Sequence, residues 1–134
     1  MAESVQPYVV GQSDTRPWGS WLVIDVGPSY VVKRITVRPG QRLSLQRHRH
    51  REEHWVIVGG TAEIVRDNES FMQEVGGTTR IPLGATHRIA NPGTVDLVFV
   101  EVQRGTLLTE DDIERLDDAY GRIPARDARS AKEP

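Results

Sequence analysis

From Trp21 to Gln103 the sequence is a succession of short β-rich runs, each closed by a turn signal, and that punctuation leaves little choice of fold class. The runs are WLVIDV, YVVKRITVR, RLSLQRH, EHWVIV, TAEIVR, SFMQEV, TTRI, HRIAN and VDLVFVEVQ. Between them stand Gly27-Pro28, Pro39-Gly40, Gly59-Gly60, Asp67-Asn68, Gly76-Gly77 and Pro92-Gly93, pairs that supply the backbone angles of tight turns. About nine strands at this spacing, with no helical stretch among them, predict an antiparallel sandwich or barrel, most naturally a double-sheet jelly roll. A chain of 134 residues suits one such domain.

Alternation along the strands assigns faces. If Gln46 and His48 point inward, Ser44 joins them and Leu43 and Leu45 face out; on the next run Glu53, Trp55 and Ile57 oppose Val56 and Val58. Apolar residues on both faces of so small a barrel predict that a second subunit or the terminal segments cover the outer one, and a homodimer is expected. Residues 1–15 are polar and aperiodic, an N-terminal arm ahead of a domain spanning 16–122. Near its end, Thr109 to Asp118 changes period: Ile113, Leu116 and Tyr120 lie at helical spacing, and Thr109 with Asp112 resembles a capping box. The expectation is a short C-terminal helix ending at Gly121, then a flexible tail over 123–134.

Net charge is -2 with 27% charged residues, so no basic field marks a nucleic-acid binder. No run approaches a membrane span, the N-terminus lacks a secretory leader pattern, and there is no Cys; a soluble cytoplasmic protein is the simplest reading. The chemistry gathers in two glycine-framed blocks, Gly40-x5-Gln46-x-His48-x4-Glu53-x6-Gly60 and Gly76-x5-Pro82-x-Gly84-x2-His87-x3-Asn91. Gln46 and His48 share a strand face and a turn near Arg49 to Glu52 returns Glu53 beside them, so with His87 they offer two imidazoles, a carboxylate and an amide oxygen. That set suits a divalent metal, with zinc placed first and Mn, Fe, Co or Ni as alternatives. His50 competes with Gln46 for a ligand position, but from His50 only two residues separate it from Glu53, a tight return for the chain. Lys33 shares parity with the apolar Ile35 and Val37, and a Lys facing the core is costly unless it serves the site or pairs, for example with Glu101. Glu101 and Gln103 alternate with Val98, Val100 and Val102, and either set could face inward.

The two blocks resemble the paired motifs of the cupin superfamily, with Gln46 in place of the usual first His. Together with RPWGSW (16–21), VKRITVRPGQRLSLQRHRHREEHW (32–55), IPLGATHRIANPG (81–93) and EVQRGTLLTEDDIERLDDAYGR (101–122), they closely resemble the type II mannose-6-phosphate isomerase domain, usually the C-terminal part of bifunctional mannose-1-phosphate guanylyltransferases and here standing alone. The family's HHH reads His48-Arg49-His50, and the Ala of its HRAEH segment is Glu52. The resemblance implies a double-stranded β-helix barrel and interconversion of mannose 6-phosphate and fructose 6-phosphate at a metal held by Gln46, His48, Glu53 and His87. It places Arg51, Gln103, Arg115 and Arg122 at the substrate, where Arg88 after His87 can join them on the phosphate. Lys33 and Glu101 are the candidates for proton transfer. Arg115 can equally pair with Asp111 or Asp118 on a helix surface. A non-catalytic sugar- or metabolite-binding cupin that kept its metal is the alternative, and oxygen chemistry at Fe, Mn or Ni a third.

Overall fold

A computed structural model describes residues 7–109 and 111–117, and these form two antiparallel sheets with no helix among them. In chain order the strands are β1 (Ser13–Arg16), β2 (Gly19–Val26), β3 (Tyr30–Val37), β4 (Leu45–Arg47), β5 (Arg51–Gly59), β6 (Ala62–Arg66), β7 (Glu69–Gln73), β8 (Thr78–Ile81), β9 (His87–Ala90), β10 (Leu97–Gly105) and β11 (Glu114–Asp117). One sheet has the order β1-β2-β3-β10-β5-β8 and the other β11-β4-β9-β6-β7. Each of the nine runs picked out by turn punctuation falls on one strand, β2 to β10 in order. The crossovers place β10 between β3 and β5, so that residues far apart in the chain share one inner face.

Phe99, Ile57, Ile64, Ile81, Ile89 and Leu97 fill the space between the sheets, all essentially without solvent contact. The framing glycines are backbone requirements. Gly40 and Gly60 both adopt φ of 76°, in the left-handed region that side chains avoid. At Gly60 an added Cβ would also stand 2.6 Å from the Asp96 carbonyl oxygen, so this corner admits no side chain.

The C-terminal helix expected over Thr109 to Asp118 is corrected: Glu114–Asp117 is strand β11, paired antiparallel with β4. Helical spacing of Ile113 and Leu116 was a weak preference, and ladder hydrogen bonds to an otherwise open sheet edge outweigh it. At the other end, the segment expected as an arm carries β1 and the buried Tyr8, whose ring meets Trp21 edge-on at 5.9 Å. Among the described residues no helix is long and apolar enough to cross a membrane.

Candidate metal centre

Register brings the site together from both sheets. Arg115, Gln46 and His87 are direct neighbours across β11, β4 and β9. On the facing sheet Glu101 sits between Lys33 and Trp55, and Gln103 pairs with Glu53. Directly paired residues project to the same side, so both rows aim into the barrel. Ser44, Gln46, His48, Glu53, Lys33, Glu101 and Gln103 are all buried, which settles the inward orientation of Glu101 and Gln103 and leaves the valines of β10 outside.

His48, Glu53 and His87 offer ligand atoms that all lie within 4.8 Å of one another. Both imidazoles are oriented from behind: the Nδ1 of His48 bonds the Asp112 carbonyl and that of His87 the Ala85 carbonyl at 3.1 Å. A carbonyl only accepts, so each Nδ1 carries the hydrogen and each Nε2 turns to Glu53, at 3.1 Å from His48 and 3.8 Å from His87. Gln46 gives its amide N–H to Ser44 Oγ at 3.1 Å and to the Ser44 carbonyl at 3.3 Å, so its oxygen is the end available to a cation. Two neutral nitrogens, one carboxylate and one amide oxygen fit a divalent cation of the zinc, iron or manganese kind. Burial takes the His87 pKa down to about 4, even though Glu53 pulls it upward, so its ring is neutral at physiological pH, as a ligand must be.

A second carboxyl group adjoins the cluster. Trp55 Nε1 donates to Glu53 Oε1 at 3.0 Å and to Glu101 Oε1 at 3.1 Å, and Gln103 Nε2 donates to Glu101 Oε2 at 2.7 Å. Burial, and next the Glu53 carboxylate, push Glu101 up to about 8. Burial would raise Glu53 as well, but the adjoining His48 ring and the Arg51 guanidinium hold it well below the usual carboxylate range. One carboxyl therefore stays ionised while its neighbour keeps a proton.

A cavity of about 70 Å³ opens onto these groups, and its wall includes Gln46, Glu53, His87, Glu101, Lys33, Arg51, Arg88 and Arg115. Lys33 Nζ donates to Tyr8 Oη at 2.9 Å and lies 4.1 and 4.2 Å from the ring centres of Tyr8 and Trp21. Arg88 reaches Asp117 at 3.3 Å. Gln103 stands behind Glu101, away from the cavity wall, so it bears on the pocket through that carboxyl. His50 is exposed, and Arg122 lies outside the described residues. Three contributors escape a reading of the sequence. Trp18 and Trp21 line the cavity. Asp112 accepts the backbone N–H of Arg49 and of His50, each at 2.9 Å, and so pins the turn that carries His48. The EDDI segment suggested a helix cap; no local pattern says that its carboxylate caps a distant turn instead.

Comparison with known proteins places these features in a family. The family model described as mannose-6-phosphate isomerase C-terminal matches residues 6–118. The chain is 53% identical over 107 residues to the alginate biosynthesis protein AlgA of Pseudomonas aeruginosa, covering 80% of this chain and 22% of that protein. It is 50% identical over 108 residues to the mannose-1-phosphate guanylyltransferase ManC of Salmonella typhimurium, covering 81% of this chain and 23% of the relative. The chain thus spans less than a quarter of the length of these relatives. In structure it resembles the cupin domain of Cnp3 from Schizosaccharomyces pombe, with a TM-score of 0.62 at 16% identity over 65% of this chain and 64% of that one, a likeness of fold. With the two-sheet barrel, the inward His48–Glu53–His87 cluster and a match over most of its length, the chain belongs to the family of mannose-6-phosphate isomerase C-terminal domains, on a cupin fold.

Proposed function

We propose that the chain is a metal-dependent sugar-phosphate isomerase interconverting mannose 6-phosphate and fructose 6-phosphate in the cytoplasm. The observation that carries this reading is the meeting, at one pocket, of Glu53 and His87 of the His48–Glu53–His87 donor set with a protonated Glu101 and with Lys33, Arg88 and Arg115. Aldose–ketose isomerisation moves one proton between C2 and C1 and one between O2 and O1, and needs no redox partner. A divalent cation, zinc in the first instance, held by Gln46, His48, Glu53 and His87, would polarise the sugar oxygens. Glu101 is the proton-transfer group: with a pKa of about 8 its two forms are both accessible near neutral pH. Lys33, fixed by Tyr8, holds the oxygen on which negative charge develops. At about 70 Å³ the cavity is far smaller than the ~300 Å³ at which ligand pockets begin, so the sugar enters by its reacting end and its phosphate rests at the mouth against Arg88 and Arg115. The small volume also favours a second reading, a phosphosugar-binding cupin that does no chemistry. A coupled assay for fructose 6-phosphate, run after chelation and metal add-back, separates them. The isomerase gives turnover that returns with metal and is abolished in His48→Ala; binding of mannose 6-phosphate in calorimetry without turnover assigns the binding module.

A further inference from the structure

Arg51 is buried, 6% exposed, and its guanidinium is committed to the donor cluster. Nη2 stands 2.9 Å from Glu53 Oε2 and 3.2 Å from His48 Nε2. Nε donates to the same Glu53 oxygen at 3.0 Å, and Nη1 to the Thr109 carbonyl at 3.3 Å. His48 has no second nitrogen to offer, because its Nδ1 gives its hydrogen to Asp112. The Nε2 lone pair cannot accept an N–H hydrogen and coordinate a cation at once. Glu53 is engaged in part: Oε2 is taken by two guanidinium nitrogens, while Oε1 receives only the Trp55 N–H and keeps a lone pair.

From this geometry we infer that Arg51 is a built-in cation that competes with the metal for His48 and Glu53, so that loading the site displaces its guanidinium. The inference rests on reading the cluster as a metal site. Without a counter-charge the buried Glu53 carboxylate would be strongly destabilising, and Arg51 supplies that charge independently of any metal. The barrel therefore folds before it loads, and part of the metal's binding free energy goes into breaking the Arg51 contacts.

A strut that only holds Glu53 in place makes the opposite prediction. Removing a strut weakens metal binding, whereas removing a competitor strengthens it. The test is Zn²⁺ affinity, by competition with a chromophoric chelator, for untagged wild-type chain and for Arg51→Met, Arg51→Lys and His48→Ala. Competition predicts that Arg51→Met binds Zn²⁺ about tenfold or more tightly than wild type, on the scale that groups behind metal ligands command. It also predicts a larger upward shift in Tm on Zn²⁺ addition for that variant than for wild type. Arg51→Lys keeps the charge but cannot bridge Glu53, His48 and Thr109 with one planar fork, so it too binds more tightly than wild type. Equal or weaker Zn²⁺ binding by Arg51→Met overturns the inference, and so does an Arg51→Lys affinity equal to wild type, which would mean that charge acts without occupancy. If Arg51→Met does not fold, the lysine variant decides alone by the same criterion. Wild-type chain that takes up no Zn²⁺ sensitive to His48→Ala removes the metal reading itself, and the competition with it.

Discussion

Glu53 and Glu101 both lean on the indole N–H of Trp55, and the way that pair divides one proton sets how the fold responds to pH. Glu101 titrates at about 8 in the folded chain against an ordinary 4.5, so its contribution to stability is complete below 4.5 and is lost as pH rises through 8. His87 runs the other way. Its folded value of about 4 against 6.5 means that its contribution is complete above 6.5 and is lost as pH falls through 4. Between 4.5 and 6.5 the two slopes oppose each other, and above 6.5 only that of Glu101 remains. Chelated protein should therefore lose stability from pH 6.5 to 8 by on the order of 1 kcal/mol per pH unit at most, and Glu101→Gln, which mimics the protonated acid, should flatten that fall. Denaturation curves that move in parallel for both proteins across this window would defeat the assignment. At this scale the donor residues were legible, since spacing within a strand fixes which side chains share a face. Glu101 was not: β10 alternates valines with polar groups, and only its place between Lys33 and Trp55 decides which set turns in.

Among the elements, the segment from Thr109 to Asp117 contributes most that the sequence conceals. β11 adds an edge to the five-stranded sheet, while Asp112 takes the two amide hydrogens of the turn after His48 and Thr109 accepts from Arg51. Read alone, its acidic residues and apolar spacing suggest a helix start, because a sheet partner as far back as β4 leaves no trace in local periodicity. The nine interior strands were legible because each carries its own pattern and its own turn. The first and last strands, β1 (SDTR) and β11 (ERLD), are mostly polar and carry no β-rich run, so nothing local marks them as strands. The role of Asp112 is testable through its neighbour. Asp112→Ala leaves the Arg49 and His50 N–H groups without their acceptor, which should cost about 1–3 kcal/mol in urea denaturation. It should also loosen Zn²⁺ measurably by releasing the turn that carries His48, although the Asp112 carbonyl behind its Nδ1 is unchanged. Unchanged Zn²⁺ affinity in a folded Asp112→Ala chain would reduce the segment to simple cover.

For the molecule as a whole, the outer face of the six-stranded sheet remains to be accounted for. Val56 and Val58 are 38% and 48% exposed there, and Ile24 on β2 is 43% exposed. Register extends the stripe, since Val100 lies opposite Val56 and Val102 opposite Val32. Alternation in the sequence already set Val56 and Val58 outward, against Glu53, Trp55 and Ile57 facing the site. A sheet that turns donors inward and valines outward can gain apolar burial only by meeting another surface, and a symmetric partner of the same chain presents a matching one. Sedimentation velocity at tens of micromolar should then give a species of twice the 15.0 kDa chain mass. Val58→Asp would place a carboxylate in the stripe and shift the chain to monomer. Because the cavity opens on the opposite face of this sheet, the same variant should keep its Zn²⁺ affinity. Wild-type chain sedimenting as a monomer would refute a homodimer on this face, and loss of Zn²⁺ binding in a folded Val58→Asp would mean that the two faces are not independent.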